Sequence, residues 1–157
     1  MDVEIIRSTR RRRTGAARVV GDVIRVSVPA GLPAAEEQRL VSSLVSKIER
    51  KRAAEPIDLF ERCVELARRY DLPEPASVRW VDNQVYRWGS CTPADGSIRI
   101  STRLASFPSW VLDGVLVHEL AHLVVPRHGP DFWAVANRYP RMERARGFLI
   151  AKGIDEG

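Results

Sequence analysis

Hydrophobic positions follow two different periods along the chain. Near its start they alternate: Ile24, Val26 and Val28 face one way and Arg25 and Ser27 the other, the period of a strand with one buried face. Val3 to Arg7 and Ala16 to Val20 read as strands as well, and Gly21-Asp22 has the length of a two-residue hairpin turn into Val23 to Val28. These segments predict a small antiparallel sheet that ends at Pro29-Ala30-Gly31-Leu32-Pro33. From Ala34 to about Ala53 the period lengthens. Leu40, Leu44 and Ile48 form one helical row with Val41 and Val45 beside it, which predicts an amphipathic helix. Pro56 is placed to open a second helix, with Phe60, Cys63, Val64, Ala67 and Tyr70 on one face until Asp71-Leu72-Pro73 ends it.

Alternation then returns. Ser77 to Val81, Val85 to Cys91 and Ser97 to Ser101 read as strands, the last two joined through a turn at Thr92-Pro93-Ala94-Asp95-Gly96 into a second hairpin. Helices are expected from about Pro108 to Val124, Pro130 to Tyr139 and Met142 to Lys152, with no internal repeat and no long linker. Strands and helices in this mixed order predict an α+β fold. At 157 residues and 45% hydrophobic, the chain has material for one core, so a single domain over 1–157 is expected: a β-rich segment (1–33), two helices (34–73) and a mixed remainder (74–157).

Charge changes this picture little. The formal net charge of +5 comes mostly from arginine and favours anionic partners without choosing among them, which leaves room for weak nucleic-acid binding. Arg10 to Arg13 is the densest basic run; it lies between two strand-like segments with no aromatic residues interleaved and reads as a solvated loop. Two cysteines, Cys63 and Cys91, without C-x-x-C spacing imply reduced thiols, Cys63 as core packing. Neither a secretory leader nor a run of roughly 20 apolar residues is visible, so no membrane span is expected and the cytoplasm is the expected compartment.

Chemistry concentrates in Val111 to Trp133. His118-Glu119-Leu120-Ala121-His122 is an H-E-x-x-H element, and residues four apart on a helix share a face, so both imidazoles can reach one metal ion. Glu119 falls beside that face, where it can take a proton from a water that the metal activates. Val111, Leu112, Val115, Leu116, Leu120 and Leu123 recur at helical spacing, and Pro126 stops the helix. The break at Val125-Pro126-Arg127 lets His128 approach from outside the helix as a third ligand. The chain has 3 histidines and all of them fall here, which argues for a shared metal over scattered structural roles. Three imidazoles suit Zn2+, though Ni2+ or another divalent transition metal would also bind.

Tyr86-Arg87-Trp88-Gly89-Ser90-Cys91, Val117-His118-Glu119-Leu120-Ala121-His122-Leu123 and His128-Gly129-Pro130-Asp131-Phe132-Trp133, in this order and spacing, resemble the YgjP-like metallopeptidase family, a zincin-like group related to the WLM and SprT-type proteases. The resemblance covers most of the chain, more loosely before Pro73. It implies a minimal zincin-like core within 74–157, one zinc held by His118, His122 and His128, and Glu119 as general base. One bacterial member has been described as a nucleoside triphosphate pyrophosphatase acting on UTP, so the family does not by itself choose the bond cleaved.

The first reading is therefore a zinc metallopeptidase acting on a peptide or protein, and the alternative a nucleotide (UTP) pyrophosphatase in which Arg87 or Arg99 holds phosphate. A Gly-rich phosphate loop and an acidic cluster for magnesium, which would favour the alternative, are missing from the sequence. A third reading is a metal that only staples the fold; Glu119 argues against it, because a structural site has no use for that carboxylate. Tyr86, Arg87 and Tyr139 are candidates to stabilise the oxyanion, Trp88 and Trp133 read as core or pocket wall, and Cys91 reads as structural. A strand with a free edge beside the metal helix would let an extended substrate pair along the cleft; an ordinary hairpin covering a core is the plainer reading.

Overall fold

The computed structural model describes residues 1–84 and 87–153 and divides the chain into two compact units, Met1–Arg52 and Ala53–Gly157. In the first unit β1 (Asp2–Ser8), β2 (Ala16–Val20) and β3 (Val23–Pro29) precede the long helix α1 (Ala34–Ala54). Ile24, Val26 and Val28 of β3 are fully buried, packed against Ala17 and the α1 row Leu40, Val41, Leu44, Val45 and Ile48. Both rows are those the sequence pattern marks. Gly21 takes the positive φ of 62° that the tight β2–β3 turn requires of a residue without Cβ.

The sheet is mixed rather than wholly antiparallel. β2 pairs antiparallel with β3, but β1 pairs with β3 in parallel, giving the order β1-β3-β2. Residues 9–15 run past the end of β3 and bring the chain back on its far side. The strand with the strongest apolar alternation thereby sits in the centre, with a neighbour on each edge.

The second unit comprises α2 (Leu59–Arg69), β4 (Ser77–Val81), β5 (Gly89–Thr92), β6 (Ser97–Ser101), a 3-10 turn (Thr102–Ser106), α3 (Ser109–His122), α4 (Pro130–Ala136) and α5 (Met142–Ala151). α2 starts at Leu59 because Asp58 caps it, its carboxylate accepting from the Glu61 N–H at 3.0 Å, a contact that contributes about 1 kcal/mol. The sheet order is β4-β6-β5, with β4 parallel and β5 antiparallel to β6. β5 begins at Gly89; of the longer strand that the pattern predicts, Val85 and Tyr86 lie outside the described residues. α4 stops at Ala136, short of the Tyr139 expected.

α3 is the centre of this unit. It packs on α2, α4, α5 and β5, and every residue from Val111 to Ala121 except Asp113 is buried. A helix apolar all round belongs inside a core. At Gly114 it meets α5 so closely that an added Cβ would lie 2.6 Å from the Ala145 Cβ. Asp113, the polar exception, pairs with both ends of the Arg62 guanidinium at 2.5 and 3.2 Å, tying α3 to α2 and raising the Arg62 pKa, the hydrogen bond to Asp113 being the main cause. The two units form an α+β fold, and none of the helices is long and apolar enough to cross a membrane among the described residues.

Candidate metal centre

The last turn of α3 carries His118, Glu119 and His122 on the side that faces the following loop. Pro126 cannot continue the helix, and the chain turns there so that His128 comes back over the helix end. The Nε2 atoms of His122 and His128 are 3.1 Å apart, as are those of His128 and His118. Among the described residues these three form a group whose ligand atoms all lie within 4.8 Å of one another. The sequence reading thus named three histidines that the fold brings together.

The donor set fits a divalent ion. Zinc bonded to imidazole at about 2.0–2.1 Å in a tetrahedron holds its nitrogens about 3.3 Å apart, close to the spacing found here. The carbonyl of Val125 lies 3.2 Å from His122 Nδ1 and can only accept, so Nδ1 carries the hydrogen and Nε2 presents its lone pair. Burial, then His122, His128 and Arg146, push the His118 pKa down to about 3, so this ring is neutral and ready to donate. Burial is also the main cause lowering that of His122.

Packing orients the rings where hydrogen bonds do not. Among the described residues His118 Nδ1 is buried without a hydrogen-bond partner. Phe132, fully buried at the start of α4, lies under all three imidazoles with centroid distances of 4.8, 4.4 and 4.9 Å to His118, His122 and His128. Trp133 stacks on exposed His128 at an interplanar angle of 18°, and the Arg146 guanidinium of α5 lies 3.7 Å from the Trp133 ring centroid. The H-G-P-x-F-W segment is therefore a candidate ligand followed by its aromatic support. Arg146 escaped the sequence reading, since no local pattern links it to residues on another helix.

Glu119 is buried beside the ligands, its Oε1 4.0 Å from His118 Nε2. Its neighbour on the other side is β5. A Cβ on Gly89 would stand 3.2 Å from Glu119 Cγ and 3.1 Å from Val115 Cγ1, so glycine is what lets the strand lie against the helix here. Among the described residues β5 pairs only with β6, at the end of the strand order, and the face that carries Gly89 is the one turned to Glu119.

The remaining candidates divide. Tyr139 is turned into the core: its hydroxyl donates to the Trp110 carbonyl at 2.8 Å and its ring meets Tyr70 edge to face, so it serves packing and not the histidines. Tyr86 lies outside the described residues. Arg87 is exposed, and Trp88 is a core residue packed edge to face on Phe107. Arg99 reaches along its sheet to Ser90, Thr92 and Ser97, on the face opposite Ile98 and Ile100 and hence opposite Glu119. Cys91 points inward beside Glu119. Burial, and after it Glu119, push its thiol up to about 11, so it stays protonated and outside the ligand group. A concavity of about 990 Å³ lined by Pro56, Asp58, Glu61, Arg62 and Arg69 contains none of these residues; donor chemistry, not volume, locates the site.

Residues 31–150 match the family described as YgjP-like, metallopeptidase domain. No curated protein matches the chain significantly. In solved structures the fold is similar to the metallopeptidase zymogen abylysin of Pyrococcus abyssi, with 16% identity, a TM-score of 0.55, and coverage of 62% of this chain and 97% of that one. It is also similar to the metallopeptidase zymogen jannalysin of Methanocaldococcus jannaschii, with 18% identity, a TM-score of 0.52, and coverage of 62% and 99%. At these identities the likeness concerns the fold alone, which is zincin-like. The match over most of the length, on a chain whose three histidines converge beside a buried glutamate, makes this protein a member of the YgjP-like metallopeptidase family and a metal-dependent hydrolase.

Proposed function

We propose that the protein is a zinc-dependent peptidase in which His118, His122 and His128 hold the ion and Glu119 is the general base. The observation that carries this reading is the position of Glu119, buried beside three converging imidazoles and packed against Gly89 of β5. When bound, a divalent ion supplies a Lewis acid for the substrate carbonyl and lowers the pKa of the attacking water. Glu119 takes the proton from that water and returns it to the leaving amine. An extended peptide paired along the free edge of β5 would pass Glu119, with main-chain hydrogen bonds setting its register. Ser90 and Cys91 follow Gly89 along this edge.

The UTP pyrophosphatase reading has less support, because Arg99, one of its two candidate phosphate ligands with Arg87, is engaged by three hydroxyls on the far face of the sheet. The free thiols Cys63 and Cys91 are in keeping with a reducing compartment such as the cytoplasm. Glu119→Gln tests the proposal. The variant is expected to retain one equivalent of zinc and lose cleavage of a disordered protein substrate by about 10²- to 10⁴-fold. Undiminished cleavage overturns it, and release of pyrophosphate from UTP, lost in the same variant, would favour the nucleotide reading.

A further inference from the structure

The net positive charge of the chain comes from one of its units. Met1–Arg52 holds 12 Lys and Arg against six Asp and Glu, a net +6; Ala53–Gly157 holds 13 against 14, a net −1. The proposed peptidase chemistry lies in the second unit and does not call for the excess in the first. Ten of the 12 cationic residues of the first unit are arginine, and six of these fall between Glu4 and Asp22, a stretch with no acidic residue.

Two arginines of this unit are neutralised by their own fold. Arg7 makes a two-point contact with Glu37 at 2.7 and 3.0 Å, and Arg25 reaches Glu4 at 3.2 Å. Arg10, Arg11, Arg12, Arg13 and Arg18 make no ion pair among the described residues. The first four sit on residues 9–15, which cross the end of the sheet between β1 and β2. Arg10, Arg12 and Arg13 are exposed and Arg11 is half-buried. The crossing is anchored at Gly15, where an added Cβ would come 2.9 Å from Leu44 Cδ1 and 3.0 Å from the Ser27 carbonyl oxygen. Arg18 lies on edge strand β2, opposite Arg25 in the register.

Adjacent like charges repel, and a polyanion that neutralises them binds the folded unit favourably. Guanidinium forks match phosphate oxygens two at a time, which suits arginine better than lysine to a row of phosphates. Residues 9–15 hold only Thr, Arg and Gly, so the connection itself has no apolar side chain to enter a lipid surface. No aromatic residue accompanies the arginines to stack on bases, which leaves the phosphates as the main partners of the guanidinium groups. We propose that the Thr9–Gly15 connection, together with Arg18, is a surface that binds the sugar-phosphate backbone of a nucleic acid without sequence preference.

Fluorescence anisotropy of the full chain with labelled single- and double-stranded DNA and RNA of about 30 nucleotides tests this, with salt varied from about 0.05 to 0.2 M. One phosphate neutralised by each of the five arginines predicts a log–log salt slope of about −3.5 to −4.5. R12A/R13A should weaken binding at least about tenfold at low salt and flatten the slope by nearly two, leaving peptide cleavage unchanged. R141A/R144A, which removes the same charge from exposed positions of the other unit, should change affinity less than about threefold. Absence of salt-sensitive binding, or equal loss in both double variants, overturns the proposal. So does preferential binding to phosphatidylserine vesicles that R12A/R13A abolishes. Peptide cleavage and anisotropy are separate readouts, so this surface and the peptidase reading can fail independently.

Discussion

Gly89 on β5 touches Glu119 on α3. The approach leaves no room for a side chain: a methyl group there would meet Glu119 Cγ at 3.2 Å, Val115 Cγ1 at 3.1 Å and the Arg99 carbonyl oxygen at 3.3 Å. The glycine of the R-W-G-S-C segment therefore sets where the carboxylate stands. Gly89→Ala should displace Glu119 by a few tenths of an ångström and lower kcat about 10- to 100-fold while zinc content is unchanged. Steady-state kinetics together with metal analysis check this; loss of zinc in parallel with activity would mean that the glycine supports the ligands instead.

Trp133 is the second point of control. It supports His128, the exposed member of the proposed ligand set, by stacking, and carries Arg146 against its ring. Trp133→Ala should weaken zinc binding about 10- to 100-fold in competition with a chromophoric chelator, as removal of groups that orient a ligand does. Trp133→Phe keeps a stacking face and should recover most of the loss. Equal affinity in all three proteins would show that the His128 ring needs no such support.

Gly114 and Ala145 set the distance between α3 and α5. Gly114→Ala would put two methyl carbons 2.6 Å apart, a clash between two backbones that costs about 1–3 kcal/mol. Urea unfolding should show this loss, and adding Ala145→Gly to the same chain should restore part of it. Purely additive effects of the two changes would contradict the contact.

Alkali should loosen the second unit through Cys63. This thiol is fully buried, and desolvation, then Cys91, push its pKa from 9.0 up to about 12. Between those values the unfolded chain loses the proton and the folded chain keeps it, so the stabilisation is complete below pH 9 and is lost as pH rises towards 12. The slope is at most about 1.4 kcal/mol per pH unit. Cys63→Ala should flatten the decline in urea midpoint over this range, whatever its effect at neutral pH; an unchanged slope would assign the decline to other groups.

Much of this was legible in the residues because local rules dominate. H-E-x-x-H works through the helical repeat alone, and Pro126 followed by His128 states both the stop and the return. The buried rows of β3 and α1 are the ones that periodicity picks out. Pairing order was not legible: alternation shows that Val3 to Arg7 is a strand and says nothing of its running parallel to β3. Tyr139 looked like a candidate donor because it is a hydroxyl near the site in sequence, whereas its partner is the Trp110 carbonyl inside the core. Arg146 and Gly89 act on residues remote in sequence, through contacts that only the packed helices and strands create.

The strand order of the first unit also dictates a sequence of events during synthesis. Asp2 pairs with Val23 and Ser8 with Pro29, so β1 has no parallel partner until about twenty more residues have followed it from the ribosome. Until then Val3, Ile5 and Ile6 travel on an unpaired strand, whose open backbone groups are a template for pairing with another chain.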